Sequence, residues 1–387
     1  MTATSQIASK VVNHLNSEKD SVFNLLKELV ACESPSNNRP ALNRIKTLLE
    51  NQFKSLNYYT FRANGYETGG FIYARPFDKS VYNGKQLLLG HCDTVWDLGS
   101  LKTMPLTEKN NTLAGPGIYD MKAGITQILF ALKTIKELNL KPPAMPLVVI
   151  NADEEIGSIE STPTIKRLAK LASKAFVMEP PLGLDGRLKT SRKGVGKFVL
   201  TITGRSAHAG LDPEKGINAI VELSHQIQNL FAMNDPKKGI TVNVGMISGG
   251  LSPNVVAPKS QAIIDVRVNT KEDGDLITKK IKGLQPVHPE VTISVEGGIR
   301  RPPMLPTEEN QALWRQAKET AKLLGLELEQ GMAGGGSDGN TTSQFTATLD
   351  GLGTPGDGAH AQHEYILKDK LIERTALLTL LLLKDPI

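Results

Sequence analysis

Three short apolar runs in this chain each stop at, or within three residues of, a histidine or an acid, side chains able to bind a metal. Gln86-Leu-Leu-Leu-Gly90 runs into His91, Leu147-Val-Val-Ile150 stops just before Asp153-Glu154-Glu155, and Ala175-Phe-Val-Met178 runs into Glu179. Short apolar runs of this kind, three or four residues long, read as strands buried on both faces, as in a parallel or mixed sheet covered by helices. Between them, Ile125, Ile128, Leu129, Leu132, Ile135 and Leu138 share one face of a helix predicted over 121–138. Alternating strands and helices imply an α/β sheet flanked by helices. In such sheets the ligand site lies beyond the carboxyl ends of the strands, where these acids and histidines stand.

The pattern changes after about residue 194. Strands are predicted over 197–203, 240–247, 261–269 and 291–296, with helices over 218–231 and 275–284. The order strand–helix–strand–strand–helix–strand fits a small ferredoxin-like α+β unit. Helical spacing returns at 311–324, then a glycine cluster, a short strand at 347–349 and a final helix over 370–384. The expected organisation is a first domain of residues 1–193 and 304–387, interrupted by an inserted domain of residues 194–303.

With 387 residues, 40% hydrophobic and 22% charged, the chain can bury a large core, which excludes a mostly disordered protein. Its 45 basic and 40 acidic residues leave +5, spread without a basic block, so charge offers no case for nucleic-acid binding. The two cysteines, Cys32 and Cys92, form no paired motif, which excludes a disulfide framework and a cysteine zinc finger. Residues 1–20 lack the basic head and apolar stretch of a signal peptide. The longest apolar runs, such as Leu377–Leu383, are too short to span a bilayer. The expected location is the cytoplasm, with no membrane and no nucleic-acid partner.

Five segments carry candidate ligands. In His91-Cys-Asp93, the His can bind a metal through one ring nitrogen and donate the other N–H to Asp93. The same spacing also makes a local hydrogen-bonded turn. Asp120 lies in a glycine-flanked loop entering a helix, where an N-cap is the ordinary role of Asp. Asp153-Glu154-Glu155 after an apolar strand calls for solvation or a cation. Glu179 follows the third strand, and His360 and His363 lie in a late glycine-rich loop. Together, histidines and carboxylates without thiolates suit zinc, manganese or cobalt. Two such ions could share a carboxylate, and an acid beside a ligand is free to take a proton from water.

These motifs, in this order along nearly the whole chain, resemble those of the co-catalytic zinc amidohydrolase superfamily. That superfamily includes glutamate carboxypeptidases, aminoacylases, acetylornithine deacetylase and succinyl-diaminopimelate desuccinylase. The acids at 153–155, Glu179-Pro180, Gly-Gly-Gly336-Ser337-Asp338 and Gly351-Leu-Gly-Thr-Pro-Gly356 resemble most the bacterial folate-cleaving glutamate carboxypeptidases. The resemblance implies a zinc-exopeptidase-like mixed sheet with an inserted dimerisation and lid domain, a homodimer, and two zinc ions, with cobalt or manganese as possible replacements. It places His91 and Glu179 on one metal, Glu155 and His360 on the other, and Asp120 between them. Asp93 orients His91, and Glu154 is the general base. A Glu-Tyr pair four residues after the ligand selects His360 over His363. Cys92 is expected to be a small buried filler. In the inserted domain Gly204-Arg-Ser-Ala-His208-Ala-Gly210 is similar to a lid motif whose His reaches the substrate carbonyl from the partner subunit. Asn254, Arg267, Gly336 and Ser337 match positions that grip a substrate carboxylate, although Arg267 on an alternating strand also suits a surface salt bridge. Asn151-Ala152 and the polar Asp338-Gly-Asn340 depart from the usual pattern, and Glu at 179 favours the carboxypeptidase and aminoacylase side. The implied activity is hydrolysis of a C-terminal amide bond with release of a free amino acid, with deacylation of N-acyl amino acids, dipeptide cleavage and a non-catalytic binding protein as alternatives.

Overall fold

The computed structural model describes residues 3–387. Met1 and Thr2, part of the stretch read as lacking a signal peptide, lie outside the described residues. The chain divides into two compact units. The first comprises the chain up to Thr190, Pro306–Met332 and Ser337–Ile387, and the second comprises Ser191–Leu305 and Ala333–Gly336. The short glycine segment joins the second unit because Lys193 N donates to Ala333 O and Arg192 Nη1 to Gly335 O, both at 3.0 Å.

The first unit opens with helices α1 (Ala3–Ser17), α2 (Lys19–Ala31) and α3 (Arg39–Ser55). Strands β1 (Tyr58–Ala63), β2 (Phe71–Pro76) and β3 (Lys85–His91) follow, then helix α4 (Ala123–Glu137), β4 (Met145–Asn151), helix α5 (Thr162–Ala169) and β5 (Lys174–Val177). The six-stranded sheet runs β1-β2-β4-β3-β5 and ends on the strand Ala347–Leu349. The last four strands are mutually parallel, whereas β1 and β2 are antiparallel to their neighbours. The sheet is therefore mixed and lies in an α/β unit. The β1–β2 hairpin escapes sequence reading because Tyr58–Ala63 is a half-exposed edge strand with no continuous apolar run.

Apolar runs suit the central strands because both faces are covered. Leu87, Leu89, Leu147, Val149, Ala175 and Val177 pack in one core, with α5. Leu88, Val148, Ile150 and Phe176 pack in the other, against α4 and the C-terminal helix Lys368–Leu382. That is the alternation of a strand with a core on each side.

Parallel register then fixes the site. His91 pairs with Asn151, and Leu89 pairs with Val177. Two residues past Leu89 is His91, and two past Val177 is Glu179. The three runs thus deliver their polar ends to one edge of the sheet.

The second unit holds strands β6 (Gly194–Thr203), β7 (Thr241–Gly249), β8 (Lys259–Val268) and β9 (Thr292–Arg301), with helices α6 (Ala219–Phe231) and α7 (Lys271–Lys282). Its antiparallel sheet has the order β7-β8-β6-β9. Numbered within the unit, that is 2-3-1-4, the ferredoxin-like arrangement. Phe198, Leu200, Ile202, Ile264, Leu223 and Ile277 form its core. Among the described residues no helix is long and apolar enough to cross a membrane.

Candidate metal centre

Two groups of side chains meet at the carboxyl edge of the central sheet. His91, Asp120 and Glu179 form one, and Asp120, Glu155 and His360 form the other, with the ligand atoms of each within 4.8 Å of one another. Asp120 belongs to both, one oxygen to each. Its Oδ1 is 3.1 Å from His91 Nε2, and its Oδ2 is 3.6 Å from His360 Nε2. Glu179 Oε1 lies 3.7 Å from His91 Nε2, and Glu155 Oε2 lies 3.1 Å from His360 Nε2. The His363 side chain is exposed and joins neither group, and the Cys92 side chain is buried and likewise absent from both.

Asp120 reaches this place because its segment is not helical. At φ −118°, ψ 93° it precedes α4 rather than capping it. Gly117, at φ +71°, starts the segment, and a Cβ there would stand 2.5 Å from Thr94 Cγ2. Gly124 lets the first turn of α4 touch the end of β5, since a Cβ there would stand 2.2 Å from Met178 O.

Asp93 is fully buried and does two jobs. His91 Nδ1 lies 3.0 Å from its carbonyl and 3.5 Å from its carboxylate. The same carboxylate accepts from the backbone N–H of Glu154 and of Glu155, both at 3.2 Å, and from Ser36 Oγ at 2.8 Å. It therefore holds the turn bearing Glu154 and Glu155 as well as facing the imidazole.

Electrostatics fit a cation site. Burial opposes charge on His91, but hydrogen bonds to Asp120 and Asp93 prevail and hold its pKa well above the ordinary value. The hydrogen bond to Glu155, working against burial, raises that of His360 to about 9. Burial, aided by the charges of Asp120 and Glu154, pushes Glu155 up in spite of His360. The histidines are held toward their protonated forms by the clustered carboxylates, the same pull that would favour a divalent cation in competition with those protons. Glu155 Oε1 is buried with no hydrogen-bond partner, an arrangement that costs free energy unless a cation meets it. Imidazole nitrogens and carboxylate oxygens suit zinc, manganese or cobalt. The residues fit a pair of such ions.

The profile of peptidase family M20/M25/M40 matches residues 87–384, which spans every ligand candidate above. The chain belongs to this family. It is 30% identical over 360 residues to carboxypeptidase G2 of Pseudomonas sp. (strain RS-16), covering 90% of this chain and 85% of that one. Aminopeptidase PepT of Bacillus cereus has a similar structure, with TM-score 0.74 and 21% identity over 94% of this chain and 98% of that one. So has the YXEP protein of Bacillus subtilis, described as a dinuclear metal-binding peptidase from family M20. Its TM-score is 0.69 and its identity 14%, over 95% of this chain and 98% of that one. As a member of the M20 peptidase family, the chain is a hydrolase with a candidate metal-binding site.

The remaining sequence candidates occupy more ordinary surroundings. In the second unit His208 is exposed, and its Nδ1 accepts from the N–H of Gly210 and of Leu211, both at 3.1 Å. With Nδ1 accepting, the neutral ring carries its proton on Nε2. Asn254 adjoins it: Ala209 N donates to Asn254 O at 2.9 Å, and Ser252 Oγ donates to Asn254 Oδ1 at 2.7 Å. Arg267 on β8 sets its fork on Asp265 of its own strand, at 2.8 and 2.9 Å. Gly336 lies in the glycine segment of the second unit. Ser337, in the first unit, is fully buried as the N-cap of helix Asp338–Thr342, and its hydroxyl donates to Asp350 Oδ2 at 2.5 Å.

Two buried acids, Asp338 of the Gly-Gly-Gly-Ser-Asp segment and Glu364 of the Glu-Tyr pair, brace the centre through contacts that their motifs do not announce. Asp338 accepts from Asn151 Nδ2 at 2.8 Å and Ser158 Oγ at 2.5 Å, on either side of the Glu154–Glu155 turn. Glu364 accepts from Trp96 and from the loop that carries Asp120. The signal for Glu364 is an acid four residues past the candidate ligand His360.

Proposed function

We propose that this protein is a dinuclear metallopeptidase that hydrolyses a C-terminal amide bond and releases a free amino acid, with glutamate the first candidate. The observation that carries the reading is Asp120, which two three-residue groups share with one oxygen toward each, in a chain 30% identical to a carboxypeptidase. His91, Asp120 and Glu179 would hold one zinc ion, and Asp120, Glu155 and His360 the second; cobalt or manganese would fit the same donors. Bound there, the ions supply Lewis-acid polarisation of the scissile carbonyl and ease the deprotonation of water.

The chain's own groups do the rest. Glu154, on the turn held by Asp93, takes the proton from the attacking water as its oxygen adds to the carbonyl carbon. It then gives that proton to the leaving nitrogen as the C–N bond breaks, leaving a carboxylic acid and an amine, and transfer of the acid proton to the amine gives carboxylate and ammonium. His208 donates Nε2–H to the developing oxyanion from the partner subunit of a homodimer. Asn254, Arg267 and the main chain at Gly336 and Ser337 receive the substrate's free carboxylate. For Arg267 this requires sharing or exchanging Asp265.

The test is a substrate panel on protein loaded with two equivalents of zinc: C-terminal glutamate conjugates, N-acetyl amino acids, dipeptides and tripeptides. Preferred release of a C-terminal amino acid supports the reading. Preference for N-acetyl amino acids makes the enzyme a deacylase, and preference for dipeptides makes it a dipeptidase. Bound metal with no turnover on any arm overturns the hydrolytic reading in favour of a binding protein.

A further inference from the structure

The Glu364 carboxylate is 1% exposed and lies where the segments bearing three of the ligands converge. Its Oε1 accepts from Tyr119 N at 2.8 Å and Asp120 N at 3.1 Å, and its Oε2 from Gly117 N at 2.9 Å and Trp96 Nε1 at 2.8 Å. Four donors fill the capacity of a carboxylate, two to each oxygen, which fixes its plane.

Each donor belongs to a segment that needs outside support. Between Gly117 and α4 the backbone is non-helical at Asp120, so the helix ladder does not claim that N–H; Glu364 does. Trp96 follows His91 by five residues on the same loop. On the other side, Glu364 closes the turn that presents His360. Glu364 N donates to Ala361 O at 3.0 Å, Ala361 N donates to Gly358 O at 2.8 Å, and His360 sits between them at φ +60°, unusual for a residue with a side chain. Gly115 N also donates to Glu364 O, at 3.2 Å.

We propose that Glu364 is a positioning residue that sets the separation of the two metal-binding groups, by holding the Asp120 loop, the His360 turn and the Trp96 loop on one buried carboxylate. The inference rests on the dinuclear reading above. An amide cannot replace this acid, because its NH₂ would face N–H donors and leave some of them unpaired. Loss of such outer support typically lowers metal affinity about 10- to 100-fold. A purely scaffolding role would instead lower stability and leave the metal affinity of the folded protein unchanged.

The experiment compares metal-free wild type, Glu364→Gln and Trp96→Phe. Zinc affinity and stoichiometry are measured by competition with a chromophoric chelator. The visible spectrum of the cobalt-loaded protein, kcat and KM on the best panel substrate, and the thermal midpoint of the metal-free protein complete the comparison. For Glu364→Gln the second zinc should bind about 10- to 100-fold more weakly, the cobalt spectrum should change, and kcat should fall with little change in KM. Trp96→Phe removes one donor and should weaken that zinc about fivefold.

Wild-type affinity, spectrum and kcat in Glu364→Gln overturn the inference while leaving the dinuclear reading intact. Wild-type protein that binds fewer than two zinc ions overturns that reading, and the inference with it. If Glu364→Gln does not fold without metal, Trp96→Phe decides: weaker zinc supports the inference, and unchanged zinc overturns it.

Discussion

Strand β5 begins with Lys174 and runs on into Glu179, and both side chains are buried. At the amino end, Lys174 Nζ is ringed by carbonyls: Lys384 O at 2.8 Å, Asp385 O at 3.1 Å and Leu381 O at 3.4 Å, with Gln316 Oε1 at 3.5 Å. These lie at and just past the last turn of the C-terminal helix, where unpaired carbonyls and the helix dipole favour a cation. Gln86, on neighbouring β3, adds bonds to Leu382 O and Ala144 O. At the carboxyl end the same sheet gathers Asp93, Asp120, Glu155 and Glu179 around two histidines, and one oxygen of Glu155 has no partner. A charge whose partners are all supplied by the fold closes a structure. Charges gathered beyond what the fold can satisfy await something from outside.

The largest effect expected at the carboxyl end is chemical. Glu154→Ala should cut kcat by about 10²- to 10⁴-fold, with zinc content and thermal midpoint unchanged. An equal loss of bound zinc would make Glu154 a ligand instead.

Removing metal by chelation should abolish turnover and lower stability. At zinc concentrations of 100 times Kd the lost contribution is about 2.7 kcal/mol for each site, readable as a fall in the thermal midpoint. An unchanged midpoint would mean that no ion is held at these groups.

At the amino end the prediction reverses. Lys174→Met should leave kcat and KM intact and destabilise the protein by about 1–3 kcal/mol, because buried carbonyls lose their donor. The pH dependence supplies the sign. Burial lowers the Lys174 pKa from 10.5 to about 8. Between those values the unfolded chain binds more protons than the folded one, so stability gained through this group rises with pH. The stability of wild type relative to Lys174→Met should therefore increase from about pH 8 to about pH 10.5 in denaturant titrations, and a flat difference would remove Lys174 from the account.

The smallest effect sharpens the contrast most. Burial and neighbouring carboxylates raise the pKa of Glu155, so its charged form opposes folding. Glu155→Gln should raise the thermal midpoint of the metal-free protein by about 2 °C, while costing it the second zinc. A lower midpoint would show that the bond from His360 outweighs the burial of charge.

Much of this site is legible in the sequence. His91, Glu155 and Glu179 can be read there because each lies at or within five residues of the end of an apolar run, and a buried strand with an acid or imidazole at its carboxyl end has few other uses. Asp120 and His360 were readable as candidates only, one disguised as a helix cap and the other beside His363. The second unit was legible as strand and helix order, since each element has its own period. The β1–β2 hairpin was not, because an edge strand half open to solvent carries no continuous apolar run. The bracing contacts of Glu364 and Asp338 were not legible either: Glu364 accepts from Trp96 and the 117–120 backbone, Asp338 from the side chains of Asn151 and Ser158, and all of these donors lie far away in sequence.

By itself the sequence determined which residues could be ligands and that the central strands would be buried on both faces. These follow from residue chemistry and from short-range period. The tertiary structure decided that β3, β4 and β5 lie in parallel register, so that their ends coincide. It decided too that Asp120 leaves the helix to stand between two groups, and that one buried carboxylate gathers the segments bearing three candidate ligands. Those outcomes depend on hydrogen bonds between residues up to some 270 positions apart, from Trp96 to Glu364, and such pairings are set by packing rather than by any local pattern.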